Sequence, residues 1–102
     1  SIGREAAFCL FRVAQESLNN LVRHSGTNAA SVTVQEMDGG VLLAVHDDGV
    51  GFDPQSRARE KTLGLASMRE RVRLVSGTLD IESTPGRGTT IVAWVPGEGE
   101  SP

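Results

Sequence analysis

The sequence of 102 residues is poor in cysteine, in aromatic side chains and in net positive charge. Its single Cys cannot form an internal disulfide, which fits a reducing, cytoplasmic setting. The formal net charge of −3 provides no attractive field for nucleic acid or an anionic membrane, so any phosphate binding must be local. No apolar run approaches the roughly 18–20 residues of a membrane span. One small domain without nucleic-acid or membrane contact is therefore expected.

Several nucleotide and metal motifs are also absent. There is no Gly-x-x-x-x-Gly-Lys-Ser/Thr phosphate loop, and Gly49-Val50-Gly51 lacks the third glycine of a dinucleotide fingerprint. One Cys and two His at unrelated spacings provide no zinc set, and no nucleophile elbow is present. Glycine, by contrast, is abundant: it accounts for 12 of the 102 residues, whereas its usual share is ~7%. Most of these glycines fall between regular segments and divide the chain.

Hydrophobic periodicity predicts two helices and two hairpins. The order is a helix over 4–24, strands over 30–37 and 41–46, a loop over about 47–63, a helix over 64–76, and strands over 78–83 and 89–95. The first strand is expected to be half-buried and the second to be covered on both faces. This order predicts an α+β fold, a two-layer α/β sandwich with helices on one face of a mainly antiparallel sheet. The domain is expected to span 1–96, with a disordered tail over 97–102.

The first helix is amphipathic and carries the first candidate site. Glu16 and Asn20 lie four residues apart on its polar side, so a carboxylate and an amide oxygen can converge on one point. Such ligands suit a hard cation that carries phosphates, and Arg23 adds positive charge. The alternative is a solvated helix face. The apolar side is expected to comprise Ala7, Leu10, Phe11, Ala14, Leu18, Leu21 and Val22.

The second candidate site is Asp47-Asp48-Gly49-Val50-Gly51, directly after the apolar second strand. A carboxylate at the end of a buried strand is costly to desolvate unless it gains donors, and a purine amino group is such a donor. Gly49 and Gly51 let the backbone approach a ligand without a Cβ in the way. The alternative is a turn at the end of the strand.

Two further glycine-containing segments are weaker candidates. The segment 84–89 is a hairpin turn in its simplest interpretation, but Thr89 begins the last strand, where its hydroxyl can bond a ligand near Asp47 through a water. Gly64-Leu65 opens the second helix, and the exposed N–H groups at a helix N-terminus favour phosphate.

These segments follow one another in a specific order: Glu16-x-x-x-Asn20, Asp47-x-Gly49-x-Gly51, Gly64-Leu65 and Thr84-x-Gly86-x-Gly88-Thr89. With the predicted helices and strands between them, the chain resembles the ATP-binding catalytic domain of the GHKL superfamily (the Bergerat fold), which includes gyrase, Hsp90, histidine kinases and MutL. Residues 11–20 and 64–71 resemble the sensor histidine kinases that serve LuxR/NarL-type response regulators. The resemblance covers about residues 5–96.

The resemblance implies a role for each matching residue. Asn20 would bind the Mg²⁺ that bridges the ATP phosphates, and Glu16 would be the catalytic base or a Mg²⁺ ligand through water. Asp47 would accept from the adenine amino group, with Thr89 in the same water network. Residues from about 52 to 63 would form a lid over ATP that offers Arg57, Arg59 and Lys61 to the phosphates. Further nucleotide-binding positions would be Arg23, His24, Gly49, Gly51, Gly64, Leu65, Gly86 and Gly88.

The resemblance also implies what lies outside this chain. The family domain starts with a strand before the first helix, which this chain begins too late to hold in full. The phosphoacceptor histidine would lie on a separate dimerisation domain of a homodimeric kinase, which would phosphorylate a LuxR/NarL-type regulator. The chain alone would bind ATP with little turnover. Two alternatives stay open: an anti-sigma-factor-type serine kinase, and an interaction domain that has lost nucleotide binding.

Overall fold

The computed structural model describes residues 2–27 and 29–98, which contain three helices and four strands. In chain order these are α1 (Arg4–His24), β1 (Ser31–Met37), β2 (Gly40–Asp47), α2 (Arg57–Thr62), α3 (Leu65–Leu74), β3 (Thr78–Ser83) and β4 (Thr89–Pro96). None of the described helices is long and apolar enough to cross a membrane. The tail predicted over 97–102 lies, from residue 99 onward, outside the described residues.

The four described strands form one antiparallel sheet in the order β1-β2-β4-β3. Asp38 and Gly39 have positive φ and make the tight turn between β1 and β2. The chain then passes through α2 and α3 before β3, which leaves β4 to pair with both β2 and β3. The register of β2 and β4 places Asp47 opposite Thr89. The predicted α+β fold with a mainly antiparallel sheet is confirmed.

The helices α1 and α3 cover one face of this sheet. α1 packs on the central strands β2 and β4, and α3 packs on β3 and on α1. Burial of each branched side chain in this layer stabilises the fold by about 1.5–3 kcal/mol. Cys9 belongs to the core, where burial raises the pKa of its thiol although Arg71 opposes the shift. The largest of the fully buried side chains are Leu65, Val13, Val72, Val95 and Cys9.

The burial predicted for β1 and α1 is wrong in part. β1 is exposed along its whole length, because it is an edge strand and α1 lies over β2 and β4. Ala7, Phe11, Leu18 and Val22 of α1 are exposed as well. The buried side of α1 includes Leu10 and Val13, so the apolar surface of this helix is wider than the strip that the sheet and α3 cover.

The second strand, β2, is covered on one face and not on both. Leu43 and Val45 are buried under the helices, whereas Leu42 and Ala44 lie on the opposite face and are half-buried. Both large helices lie on the same side of the sheet, which leaves the other side of β2 screened only by its neighbouring strands. An apolar run therefore indicates here a central strand, but not a second covering layer.

The segment between β2 and α3, predicted as an irregular loop, contains the short helix α2. The hydroxyl of Ser56 caps α2 by accepting a hydrogen bond from the N–H of Arg59 at 3.2 Å. None of the residues of α2 is buried. Phe52 and Leu63 lie on either side of α2 and are buried in the core, so they anchor the segment before and after this helix.

Candidate functional site

A cavity lies between α1, the paired ends of β2 and β4, and the segment 50–65. It is partly open to solvent, and its empty space of about 530 Å³ includes some of that solvent. Its walls are mainly apolar, with Val45, Phe52 and Ile91 among them. The cavity brings together seven of the residues singled out in the sequence for nucleotide binding: Asn20, His24, Asp47, Gly51, Arg59, Leu65 and Thr89.

Asp47 is the buried carboxylate of this cavity. Its side chain is at the end of β2, only 8% of the residue is exposed, and Oδ1 accepts a hydrogen bond from the N–H of Gly49 at 2.7 Å. This bond uses one oxygen and leaves the other available to a donor in the cavity. Because a buried carboxylate is costly without donors, this geometry favours a ligand with an N–H group. Gly49 thus acts by holding Asp47 and does not itself line the cavity.

Ser17 is a cavity residue that the sequence did not reveal. It lies on the core side of α1 with 4% of its surface exposed, and its hydroxyl has no hydrogen-bond partner among the described residues. Such orphaned groups are rare in folded proteins and call for a partner. A serine inside a helix commonly bonds the carbonyl four residues earlier, so its position alone carried no signal. The orphaned hydroxyl fits a cavity that receives a polar ligand.

The glycines of the segments 49–51 and 84–88 allow these two segments to touch. Gly51 and Gly88 both have positive φ, and a Cβ on either would overlap a backbone carbonyl oxygen, that of Thr84 or of Asp47 respectively. The N–H of Gly86 donates to the carbonyl of Val50 at 2.6 Å. Gly86 and Gly88 therefore shape the site from behind and do not line the cavity.

Asn20 connects α1 to the end of the segment that follows β2. Its side-chain nitrogen donates to the carbonyl of Leu63 at 2.8 Å, which leaves the amide oxygen available to a ligand. Arg59 of α2 lines the same cavity, whereas Arg57 and Lys61 do not. Positive charge from the predicted lid is thus limited to one arginine at the cavity.

Glu16 and Asn20 were expected to converge on one point, but they line different cavities. Glu16 lies in a neighbouring cavity between α1 and α3, together with Gly64 and Arg71. A Cβ at Gly64 would be 3.2 Å from Oε2 of Glu16, so the carboxylate lies against the residue that precedes α3. The positive end of the α3 dipole favours a carboxylate there.

The remaining candidates from the sequence concern positive charge near the phosphates and a metal site. Arg23 is exposed on α1 and is not part of either cavity. Within residues 2–27 and 29–98, His, Cys, Asp and Glu nowhere gather in a group of three or more that could hold a metal ion. A Mg²⁺ ion at Asn20 would therefore take most of its ligands from phosphate and water, which this ion accepts readily.

Comparison with known proteins places these features in one family. The family model of histidine kinase-, DNA gyrase B- and HSP90-like ATPases matches residues 7–99. An uncharacterised sensor-like histidine kinase of Chloroflexus aurantiacus is 38% identical over 100 residues, which are 93% of this chain and 17% of that protein. The histidine-protein kinase/phosphatase DegS of Bacillus subtilis is 40% identical over 89 residues, 85% of this chain and 23% of that protein. The chain thus spans about a fifth of these relatives.

Solved structures agree with this assignment. The ATP binding domain of PrrB from Mycobacterium tuberculosis superposes with a TM-score of 0.71 at 29% identity, covering 88% of this chain and 68% of that one. The Erythrobacter litoralis blue-light activated histidine kinase has a TM-score of 0.76 at 23% identity, covering 93% of this chain and 31% of that one, and is similar in fold. The resemblance to a GHKL ATP-binding domain is confirmed. Since the family model spans almost the whole chain, this protein belongs to the histidine kinase-, DNA gyrase B- and HSP90-like ATPases.

Proposed function

We propose that this chain is the ATP-binding catalytic domain of a two-component sensor histidine kinase. It binds Mg-ATP and donates the γ-phosphoryl group to a histidine on a separate dimerisation domain. The observation that carries the proposal is the buried carboxylate of Asp47, with one oxygen held by Gly49 and the other available to an amino group. The names of the relatives, DegS among them, support the histidine-kinase type.

The adenine end of ATP occupies the part of the cavity at the ends of β2 and β4. Val45 and Ile91 line it with apolar surface for the purine, and Asp47 accepts from the exocyclic amino group. A hydrogen bond to a charged group contributes about 1.5–3 kcal/mol. Thr89 lies opposite Asp47 in the sheet. Its hydroxyl contacts the same edge of the base through a water and is a second acceptor beside the Asp47 carboxylate.

The phosphates lie toward α1 and the segment before α3. Asn20 holds Mg²⁺ through its amide oxygen, while Arg59 and His24 line the same cavity and meet the negative charge. Mg²⁺ held there would neutralise charge on the phosphates. Glu16 and Gly64 line the neighbouring cavity beside the start of α3. From there Glu16 acts through water, either as a base or as a partner of water bound to Mg²⁺.

We also propose the setting of the parent protein: a homodimeric kinase, cytoplasmic in this part, that phosphorylates a LuxR/NarL-type response regulator. The regulator class rests on the resemblance of residues 11–20 and 64–71 to kinases that serve such regulators. Phosphoryl transfer depends on placing the acceptor in line with the γ-phosphate, so positioning by the dimerisation domain supplies most of the catalysis. The chain alone is expected to turn ATP over slowly.

Calorimetric titration of the chain with ATP and with GTP, each in Mg²⁺, tests the binding step. ATP is expected to bind with a micromolar-to-millimolar dissociation constant and GTP about tenfold more weakly. Absence of any nucleotide signal would favour the interaction-domain alternative. For the transfer step, the chain is mixed with the dimerisation domain of its parent and γ-labelled ATP. An acid-labile, base-stable label indicates phosphohistidine, whereas an acid-stable label would favour the serine-kinase alternative.

Ser17→Ala is expected to weaken ATP binding by about three- to tenfold without lowering the free energy of unfolding. In the free protein the unpartnered hydroxyl pays for desolvation, so its removal is neutral or stabilising. In the complex the same change removes a polar contact. Calorimetry and urea unfolding measure the two effects. A loss of stability with unchanged ATP affinity would contradict a ligand-binding role.

Asn20→Ala is expected to lower the affinity for Mg-ATP by about tenfold and to leave adenosine binding within about twofold. The amide oxygen is lost to the metal, while the base end is unchanged. Asn19→Ala is the matched control, because Asn19 is the exposed neighbour on α1. Titrations with ATP at increasing Mg²⁺ measure the effect. If ATP affinity in the unmutated chain is the same with and without Mg²⁺, the metal role of Asn20 is wrong.

A further inference from the structure

Ser83, the last residue of β3, lies behind the cavity where three segments meet. Its hydroxyl oxygen accepts from the N–H of Phe52 at 2.8 Å, donates to the carbonyl of Gly88 at 3.0 Å, and lies 2.8 Å from Oγ1 of Thr89. Ser83 pairs with Thr89 in the register of β3 and β4, so their side chains lie on the same face of the sheet. Ser83 does not line the cavity itself.

The hydrogen atoms available at this junction determine what Thr89 can offer. A serine hydroxyl has one proton and two lone pairs. Ser83 donates its hydroxyl proton to the Gly88 carbonyl, and one of its lone pairs accepts the hydrogen bond from the N–H of Phe52. The remaining lone pair then needs a donor, which is the hydroxyl of Thr89. This arrangement satisfies all three contacts at once. It uses the only hydroxyl proton of Thr89, which therefore presents lone pairs alone to the cavity.

We infer that Ser83 is a positioning residue that sets Thr89 as an acceptor and thereby selects adenine over guanine. The inference rests on the proposed function, in which the base edge lies between Asp47 and Thr89. Adenine presents an amino donor at the position where guanine presents a carbonyl oxygen. The carboxylate of Asp47 is also an acceptor, so a water that bridges Asp47 and Thr89 donates both of its protons to them. It then offers only lone pairs to the base, which suit the adenine amino group and not a guanine carbonyl.

The same hydroxyl of Ser83 also anchors the start of the segment that leads to α2. The N–H of Phe52 bonds Ser83, and the preceding carbonyl of Val50 bonds the N–H of Gly86. Loss of the Ser83 hydroxyl therefore loosens this segment as well and weakens nucleotide affinity in general. The ratio of ATP to GTP affinity isolates the effect on Thr89, because a general loosening affects both nucleotides alike.

The test measures Mg-ATP and Mg-GTP affinities of the chain by calorimetry. Ser83→Ala is expected to lower the ATP-over-GTP preference by about three- to tenfold, because Thr89 can then donate to the bridging water, which keeps a proton for a guanine carbonyl. In a Thr89→Val background the Ser83→Ala change is expected to leave the preference unchanged, since no hydroxyl remains to be oriented. Ser31→Ala is the control, since Ser31 is exposed on the edge strand β1. It is expected to keep the full preference.

An isosteric pair serves where Ser83→Ala does not fold. Ser83→Thr keeps the hydroxyl and Ser83→Val lacks it, and both side chains suit a strand. The Val variant is expected to lose the preference and the Thr variant to retain it. The role of Ser83 is overturned if loss of its hydroxyl leaves the ratio of ATP to GTP affinity unchanged. It is also overturned if that loss changes the ratio equally in the Thr89→Val background. Either result leaves the proposed function standing. An unmutated chain that binds neither nucleotide overturns the proposed function and this inference together.

Discussion

Asp47→Asn is expected to lower the affinity of the chain for ATP by about two orders of magnitude or more. Oδ1 of Asp47 is held by the N–H of Gly49 at 2.7 Å. An asparagine keeps its oxygen on this N–H, which turns its NH₂ group toward the adenine amino group. The change removes a hydrogen bond to a charged group, worth about 1.5–3 kcal/mol, and leaves two donors facing each other at a further cost of about 1–3 kcal/mol.

Asp48→Asn is the matched control for this measurement. The side chain of Asp48 is 90% exposed and bonds the ring of His46 at 2.9 Å, away from the cavity. The variant removes the same charge one residue along the chain, so ATP affinity is expected to change by less than about twofold. Calorimetry measures both variants. Equal losses in both would mean that net charge matters and not the geometry at Asp47, and unchanged affinity in Asp47→Asn would refute the adenine assignment.

Gly88→Ala is expected to lower the free energy of unfolding by about 3–5 kcal/mol and to abolish ATP binding. Gly88 has a φ of +89°, and an added Cβ would overlap the carbonyl oxygen of Asp47 and lie 2.9 Å from Cα of Asp48. Both obstacles are backbone atoms, which cannot move aside without displacing the end of β2. The pairing of Asp47 with Thr89 would then be lost, and with it the acceptor edge of the cavity.

Gly86→Ala separates the two causes of the predicted loss at Gly88, which are the strain of a positive φ and the overlap of a Cβ with backbone atoms. Gly86 has a similar φ of +84°, but nothing lies within 4 Å of the position of a Cβ. This variant is expected to cost only the strain of the left-handed conformation, about 1–2 kcal/mol, and to keep ATP binding. Urea unfolding of both variants gives the difference. Equal costs would show that φ alone requires glycine at residue 88 and that the close approach of Asp47 does not.

The secondary structure of this chain was largely predictable, because its signals are local. The apolar period of α1, the turn at Asp38-Gly39 and the polar–apolar alternation of β1 and β3 each lie within a few residues. The missed element is α2, a helix of six residues that buries none of them. Its capping residue Ser56 was the one local signal, and a serine within a polar segment is too common to indicate a helix alone.

The candidate site was predictable only in part, because it joins residues far apart in the chain. Asp47 and Thr89 meet since β4 pairs with β2, which no local pattern of either strand indicates. Ser17 and Ser83 carried no signal, as their importance depends on which hydrogen-bond partners the fold provides. Glu16 shows the opposite case, since its spacing from Asn20 suggested one shared site and the packing of α3 assigns it to a neighbouring cavity.

The sequence by itself determined the order of helices and hairpins, the positions where glycine is needed, and the membership of an ATPase family. These properties depend on side-chain spacing and backbone conformation within short segments. Only the tertiary structure decided which strands adjoin, which side of α1 is buried, and that the hydroxyls of Ser83 and Thr89 lie 2.8 Å apart behind the cavity. Those properties depend on close packing and on the complete use of hydrogen-bond donors, which exist only once distant segments are in contact.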